Sequence, residues 1–436
     1  MSKVILDKFF NIYKNKRLLI FLFFLSLFFS LIFLLLFKNI GPPQHRIPGT
    51  DYLTIYKPVA NNILGGRGIT KEGKLSIITP PGYPIILSMI FGLSYFLEIP
   101  ELKLIVIFNV LVVAITCCFL FLVSKLLFNK KIALISVFLW MLYPFNLWLI
   151  KNPNTEVPFI LFLYLGIYLY ILALKKGNWK HIFLAGISFG FTSLIRPISL
   201  LLSFLLALLF LFLAKDIFKR KRFFLAVILL IGSILTILPW ELYVFVQNGE
   251  IIPLSILGPR AFKAGFTFAL RKGAGGDEVV VPVDVRALMK RAEAKNFSGG
   301  YDIIYFCLKE LINRPIPFLK LLGLKILRTW YATSQKWYET LILAIQAPYL
   351  LSAFAGLISA IKIYRKKKRN VILLLGIIFY FWIMTIYAHS ILRYMIPVMG
   401  LVVIFSAITI NILITKLTKK LNPAQDGDFG FNNNSL

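Results

Sequence analysis

A handful of charged side chains stand where long apolar runs meet their polar connections, and they are the residues able to do chemistry. Asp51, in Gly49-Thr50-Asp51-Tyr52, follows the apolar run 18–37 at the mouth of a helix. A carboxylate in reach of a hydroxyl can act as a general base. Acids beside hydrocarbon are costly and usually mark function. The alternative is an ordinary loop aspartate, or the N-cap of a helix Tyr52–Leu64, a role Asp favours. Glu156 opens another apolar stretch, where it serves equally as a complement to the helix dipole. Arg196, followed by Pro197, separates two short apolar segments, and Arg393-Tyr394 begins the last one. A guanidinium at such a boundary grips a phosphate bidentately or merely snorkels towards water. His389 lies near Arg393, and Lys57 and Arg67 in the first loop can add to the same positive pocket.

The elements that position these residues are membrane helices. Hydrophobic residues make up 59% of the chain and charged residues 15%, far from soluble averages of about half and about a quarter. Segments able to cross a bilayer, which takes about 20 apolar residues, fall at 18–37, 103–126, 132–150, 156–174, 182–195, 198–214, 223–246, 340–363, 371–388 and 394–415. The expected fold is an all-α polytopic membrane protein with about ten such helices. The first is read as a retained anchor, because no small-residue cleavage site follows it.

Basic connections at 129–131, 175–176, 219–222, 365–369 and 416–420 place those loops and both termini in the cytoplasm. The net charge of +31 is then a topological signal and not a nucleic-acid footprint. This assignment holds only if the apolar piece 82–97 does not cross. Its 16 residues give about 24 Å of helix against a core of roughly 30 Å, so it is expected to be re-entrant or to lie on the membrane surface. Segments 1–421 then form one membrane domain, with external loops 38–81 and 247–339. The tail 422–436 reads as disordered. The stretch 301–330 alternates apolar runs with Lys309, Arg314, Lys320, Lys325 and Arg328, as interfacial helices do.

Other patterns carry little. Gly65-Gly66-Arg67-Gly68 and Gly273-Ala274-Gly275-Gly276 lack the Lys-Ser/Thr of a phosphate loop and read as turns. Cys117, Cys118 and Cys307 form no metal-binding pair, and three histidines nominate no metal site.

In order along the chain, several pieces resemble one family. They are the Asp-Tyr loop with Ala60-Asn61-Asn62-Ile63-Leu64-Gly65-Gly66-Arg67-Gly68, then Pro80-Pro81-Gly82-Tyr83-Pro84, the Thr155-Glu156 span start, Gly186-Ile187-Ser188-Phe189-Gly190 leading to Arg196-Pro197, Pro239-Trp240 with Gln247-Asn248-Gly249, and Arg393-Tyr394-Met395-Ile396-Pro397. Together these resemble the GT-C membrane glycosyltransferases of the family 39 type, which include protein O-mannosyltransferases and the lipid A aminoarabinose transferase. The resemblance implies a GT-C-like fold and a polyprenyl-phosphate-linked sugar donor. It also implies a hydroxyl acceptor on a glycan, lipid or protein, and an active site on the external face of the cell membrane. Asp51 takes the catalytic place. Arg196, Arg393 and Lys57 are the candidate ligands of the donor phosphate, and Glu156, Tyr52, Tyr83, Tyr394 and His389 the candidate substrate contacts. Two departures stand out: Tyr52 replaces a second adjacent acid, and Thr79 stands where some relatives place a lysine.

The implied mechanism is inverting transfer with Asp51 as base and arginines stabilising the departing phosphate. It demands no cofactor, although a divalent ion bridging phosphate is compatible with it. A lipid-linked glycan flippase or transporter is the rival. Such a protein should show paired repeats and broken helices near the midplane, whereas the notable polar residues here gather at one boundary.

Overall fold

The computed structural model describes residues 3–37, 51–270, 279–334, 336 and 338–421, with side chains from Lys16 to Thr418. The loop start 38–50, the turn expected at 273–276 and the tail 422–436 lie outside these residues.

Helices dominate because the apolar runs are long and rich in Leu, Ile and Phe. Helix α1 covers Lys3–Phe37. A π-helical turn, Tyr52–Tyr56, leads into α2, Lys57–Leu64. Strands β1, Thr70–Lys71, and β2, Lys74–Leu75, make a minimal antiparallel hairpin. It turns through Glu72 and Gly73, both at positive φ, which suits the right-handed twist of the strands. The hairpin is the one departure from the all-α expectation among the described residues. Then follow α3, Gly82–Leu97; α4, Glu101–Leu127; α5, Lys130–Met141; α6, Pro144–Leu149; α7, Glu156–Lys176; α8, Trp179–Ile195; α9, Leu202–Leu213; and α10, Lys219–Asn248. The long connection holds α11, Leu257–Phe266; α12, Val283–Ala294; α13, Gly300–Asn313; and α14, Pro315–Arg328. Helices α15, Glu339–Ile363; α16, Lys368–Tyr387; and α17, Ile396–Leu421, complete the chain.

Each of the ten expected crossings is met by a helix or helix pair. Among the described residues seven are long and apolar enough to cross a bilayer alone: parts of α1, α4, α7, α10, α15, α16 and α17. The other three are shorter for local reasons. Pro144 breaks 132–150 into α5 and α6, and Arg196-Pro197 separates α8 from α9, because proline offers no backbone donor and restrains its predecessor.

The main core joins α4, α5, α7, α8, α10, α16 and α17 through side chains such as Phe121, Trp140, Tyr164, Phe189, Leu229 and Phe381. Helices α8 and α10 approach closely at small residues. A Cβ on Gly186 would stand 2.2 Å from the Leu229 carbonyl oxygen, and one on Gly232 2.5 Å from that of Phe183. Such backbone-to-backbone packing is how small residues join membrane helices. It also fixes α8, whose C-terminal end carries Arg196. A second, smaller core forms between α11 and α14 around Phe262, Phe266, Val285, Leu288, Phe306 and Leu321. Arg291 of α12 grips Glu310 of α13 with two bonds of 3.1 Å. The 247–339 region is thus a packed subdomain as well as a connection.

The bundle has two chemically distinct ends. At one, Lys175 donates to the Leu126 carbonyl at 2.6 Å, Asn370 to Leu127 at 2.5 Å and Arg222 to Leu211 at 2.9 Å. Basic loops expected on one side therefore do gather together. At the other end lie the π turn, the starts of α3, α4 and α7, and Arg196 and Arg393. Helix α3 spans the predicted residues, and its first turn and the start of α4 both touch the 52–57 segment. Tyr83 packs on Tyr56, and Glu101, just beyond its end, pairs with Lys57.

Candidate active site

Glu156 is the centre of this end of the molecule. It is wholly buried at the start of α7, and both arginines singled out in the sequence converge on it. Arg196 Nη1 and Arg393 Nε meet its Oε1, and Arg393 Nη2 donates to Oε2 at 2.9 Å. Capping of α7 falls instead to Asn154, whose Oδ1 accepts from the Val157 amide at 3.0 Å. The dipole-complement reading of Glu156 is therefore secondary to ion pairing. Snorkelling is excluded for Arg196, whose side chain is only 9% exposed. Its guanidinium also lies 4.6 Å from the centre of the Tyr394 ring, a favourable cation–π arrangement.

The close approach of α3 to α8 sets this geometry. A Cβ on Gly82 would stand 2.6 Å from the Leu194 carbonyl oxygen, so only glycine lets the Pro-Pro-Gly turn sit against the chain entering Arg196. Two guanidinium groups against one carboxylate leave the cluster with one excess positive charge. Arg393, at 49% exposure, presents that charge to the surroundings. A buried carboxylate of this kind holds two long cations in a fixed fork.

A second ion pair lies close by. Lys57 bonds Glu101 at the start of α4, and the Tyr52 hydroxyl lies 3.5 Å from the same Glu101 oxygen. Burial, reinforced by Glu101, raises the Tyr52 phenol above its ordinary pKa. Between the two pairs stand Tyr56 and Tyr83, whose rings meet edge to face at 5.1 Å. Burial pushes the Tyr56 phenol up to about 12, and its surroundings include Arg196, Asp51, Glu156 and Arg393. That common neighbour links Asp51 to the buried cluster. Asp51 itself is exposed, and its side chain makes no capping bond to the π turn. The capping alternative thus does not describe it, and its carboxylate points to no structural task among the described residues.

The structure therefore gathers Asp51, Tyr52, Lys57, Tyr83, Glu156, Arg196, Arg393 and Tyr394 at one end. It redistributes their roles. Lys57 is engaged by Glu101, and Arg196 and Arg393 answer Glu156. His389 packs on Tyr394 with ring centres 6.2 Å apart and lines a separate small cavity. Arg67 lies exposed on the turn after α2. Glu101 and Tyr56 were not singled out in the sequence. The one cue to Glu101 was its position after Pro100 at a helix start. No group of three or more metal-ligating acids, histidines or cysteines occurs among the described residues.

Comparison with known proteins agrees with this architecture. Residues 79–240 match the family model of dolichyl-phosphate-mannose-protein mannosyltransferase. A comparison with the curated proteins found no match. The archaeal oligosaccharyltransferase AglB from Archaeoglobus fulgidus, solved with an inhibitory peptide and a dolichol-phosphate, superposes with a TM-score of 0.57 at 14% identity. The match covers 95% of this chain and 53% of AglB, so the chain spans about half the length of that protein. ArnT from Cupriavidus metallidurans, bound to undecaprenyl phosphate, gives a TM-score of 0.54 at 10% identity, covering 97% of this chain and 66% of ArnT. The chain thus shares the fold of these two membrane proteins, and its residues 79–240 are similar to the dolichyl-phosphate-mannose-protein mannosyltransferase family.

Proposed function

We propose that this protein transfers a sugar from a polyprenyl-phosphate-linked donor to a hydroxyl of a glycan, lipid or protein acceptor, with inversion, on the external face of the membrane. The observation that carries the reading is the buried Glu156 holding Arg196 and Arg393, with one guanidinium half exposed and a net positive charge beside Asp51. The neighbours AglB and ArnT, solved with dolichol-phosphate and undecaprenyl phosphate, support a lipid-phosphate ligand.

In this mechanism Asp51 removes the proton from the acceptor hydroxyl as its oxygen bonds the anomeric carbon. The bond from that carbon to the phosphate oxygen breaks, and the polyprenyl phosphate leaves with the bonding pair. Charge developing on it is met by Arg393, with Arg196 holding the fork in place through Glu156. Preorganised charge is worth more in such a water-poor setting than in bulk water. Tyr394, which is partly exposed, supplies a wall for the sugar, with Tyr52 and Tyr83 packed behind the site. Were a divalent ion held here, the exposed Asp51 carboxylate would be its ligand, and it would add positive charge against the donor phosphate.

The test is a transfer assay with purified protein in lipid and a panel of radiolabelled polyprenyl-phosphate sugars. Asp51→Asn is expected to lower turnover by about 10²–10⁴-fold, the usual range for a general base, with insertion intact. Near-normal turnover would remove Asp51 from the catalytic role. Movement of donor across the bilayer with no sugar released would indicate a flippase instead.

A further inference from the structure

The basic end of the bundle carries a cluster that the proposed transfer does not use. The entry to α10 reads Phe218-Lys219-Arg220-Lys221-Arg222-Phe223-Phe224, four consecutive cations framed by aromatic rings. Lys219, Arg220 and Lys221 are exposed, and so are the three rings, Phe218 most of all at 88%. Asp216, the acid nearest this run in sequence, pairs with Arg369 at 2.5 Å and so does not neutralise the run.

The turn between α7 and α8 completes the cluster. Gly177 adopts a φ of 58°, and a Cβ there would stand 3.5 Å from Lys221 Nζ and 3.4 Å from Ile217 Cδ1, so Lys221 lies over this turn. Helices α8 and α10 run parallel, with Gly186 against Leu229 and Gly190 against Ser233. Two turns earlier that register sets Trp179 level with Arg222 and Lys180 level with Phe223, and both Trp179 and Lys180 are exposed. Arg222 donates to the Leu211 carbonyl through Nη1 at 2.9 Å, while its Nε is buried without a hydrogen-bond partner. An orphaned donor is costly, and a bound acceptor atom would relieve it.

Open cations beside open aromatic rings suit neither water nor hydrocarbon alone. They suit the layer where headgroups meet acyl chains, with rings on the apolar side and charges among the phosphates. Helix α10 is long and apolar enough to cross a bilayer, so its first turn falls at such a layer. Clusters of Lys and Arg placed there attract anionic lipid. We propose that the entry of α10 and the α7–α8 turn form a binding site for an anionic phospholipid. Its phosphate lies between Lys180 and Lys221, and its acyl chains run along Trp179 and Phe223. The site stands at the end of the bundle opposite the Glu156 cluster. It goes beyond the transfer reaction and does not depend on it.

The experiment is native mass spectrometry of the full chain in neutral detergent, titrated with dioleoyl phosphatidylglycerol or dioleoyl phosphatidylcholine. Wild type is expected to bind phosphatidylglycerol more tightly by about tenfold or more, each cation near an anionic headgroup contributing about fivefold. Lys180→Gln combined with Lys221→Gln should bring that preference close to one. Lys131→Gln combined with Lys416→Gln removes the same charge elsewhere at the basic end and should keep it. All four lysines are exposed, so both pairs keep the fold. Equal binding of the two lipids by wild type, or a preference retained in the Lys180/Lys221 pair, would overturn the proposal. An equal loss in both pairs would overturn it too, because diffuse charge would then suffice. A final arm adds glycerol phosphate, the same headgroup chemistry without chains. Bound phosphatidylglycerol that resists it supports a lipid site, whereas displacement at comparable concentration would overturn the lipid assignment.

Discussion

The two ends of the bundle are both rich in arginine and lysine, yet they use these residues in opposite ways. At the basic end, cations reach the last carbonyls of helices, as Lys175 and Lys367 do on Leu126 and Phe128. Such contacts complement helix dipoles and keep the charge exposed. Its ion pair, Arg369 with Asp216, sits in the open with 44% and 81% side-chain exposure. At the other end the guanidinium groups turn inwards onto a carboxylate with no exposure at all. Exposed pairs contribute little to stability, whereas a buried charge must be paired or it is strongly destabilising. Basic charge at one end thus stays at the surface, and at the other it is drawn onto a buried carboxylate.

The sharpest way to break this contrast is Glu156→Gln. It strands two guanidinium groups around a neutral amide and should cost about 3–5 kcal/mol, read as a lower unfolding midpoint in detergent. A midpoint equal to wild type would mean that the cluster carries no buried-charge penalty. The two arginines should then separate. Arg196→Gln removes a buried partner and should lower both stability and turnover. Arg393→Gln leaves a neutral Glu156–Arg196 pair, so stability should fall less, with donor KM rising about tenfold or more. Equal losses for both in both assays would erase the distinction between the inner and outer guanidinium.

Lys325 extends the comparison to the small core of α11–α14. It lies 5.9 Å and 5.6 Å from the Phe262 and Phe266 ring centres, and burial pushes its ammonium down to about 7. A lysine with a depressed pKa is protonated in both states below pH 7, where the folded protein bears the full burial penalty. Between pH 7 and about 10 the unfolded state binds more protons, so stability rises with pH. Lys325→Met should therefore stabilise the protein most at pH 6, with the gain shrinking towards pH 10. A gain independent of pH would show that Lys325 is not a strained cation. The smallest effect is expected at the basic end, where Asp216→Asn should leave the unfolding midpoint unchanged within error.

Much of this was legible in the sequence, but unevenly. The crossings were readable because each is a property of a local run of apolar residues. Helix α3 was readable from its flanking prolines. The charged candidates at the site end were also visible, since acids and arginines are conspicuous at the borders of apolar segments. Their pairings were not. Lys57 looked like a phosphate ligand, yet Glu101 takes it, and Glu101 had drawn no attention. The 247–339 region looked like loops with interfacial helices, although Val285, Leu288, Met289 and Ala292 follow the spacing of a buried helix face. Its core forms from helices that are each too weakly apolar to announce one another.

The sequence by itself determined the class of protein, the helices and the sorting of basic connections to one end. Hydropathy and charge bias act locally and need no partner to be read. Only the tertiary structure decided that Glu156 and Arg393, 237 residues apart, would share one buried salt bridge with Arg196. That choice depends on the close glycine contacts of α3 and α8 with their neighbours. It follows from helices packing at backbone distance, which brings charges together across a separation that no local pattern encodes.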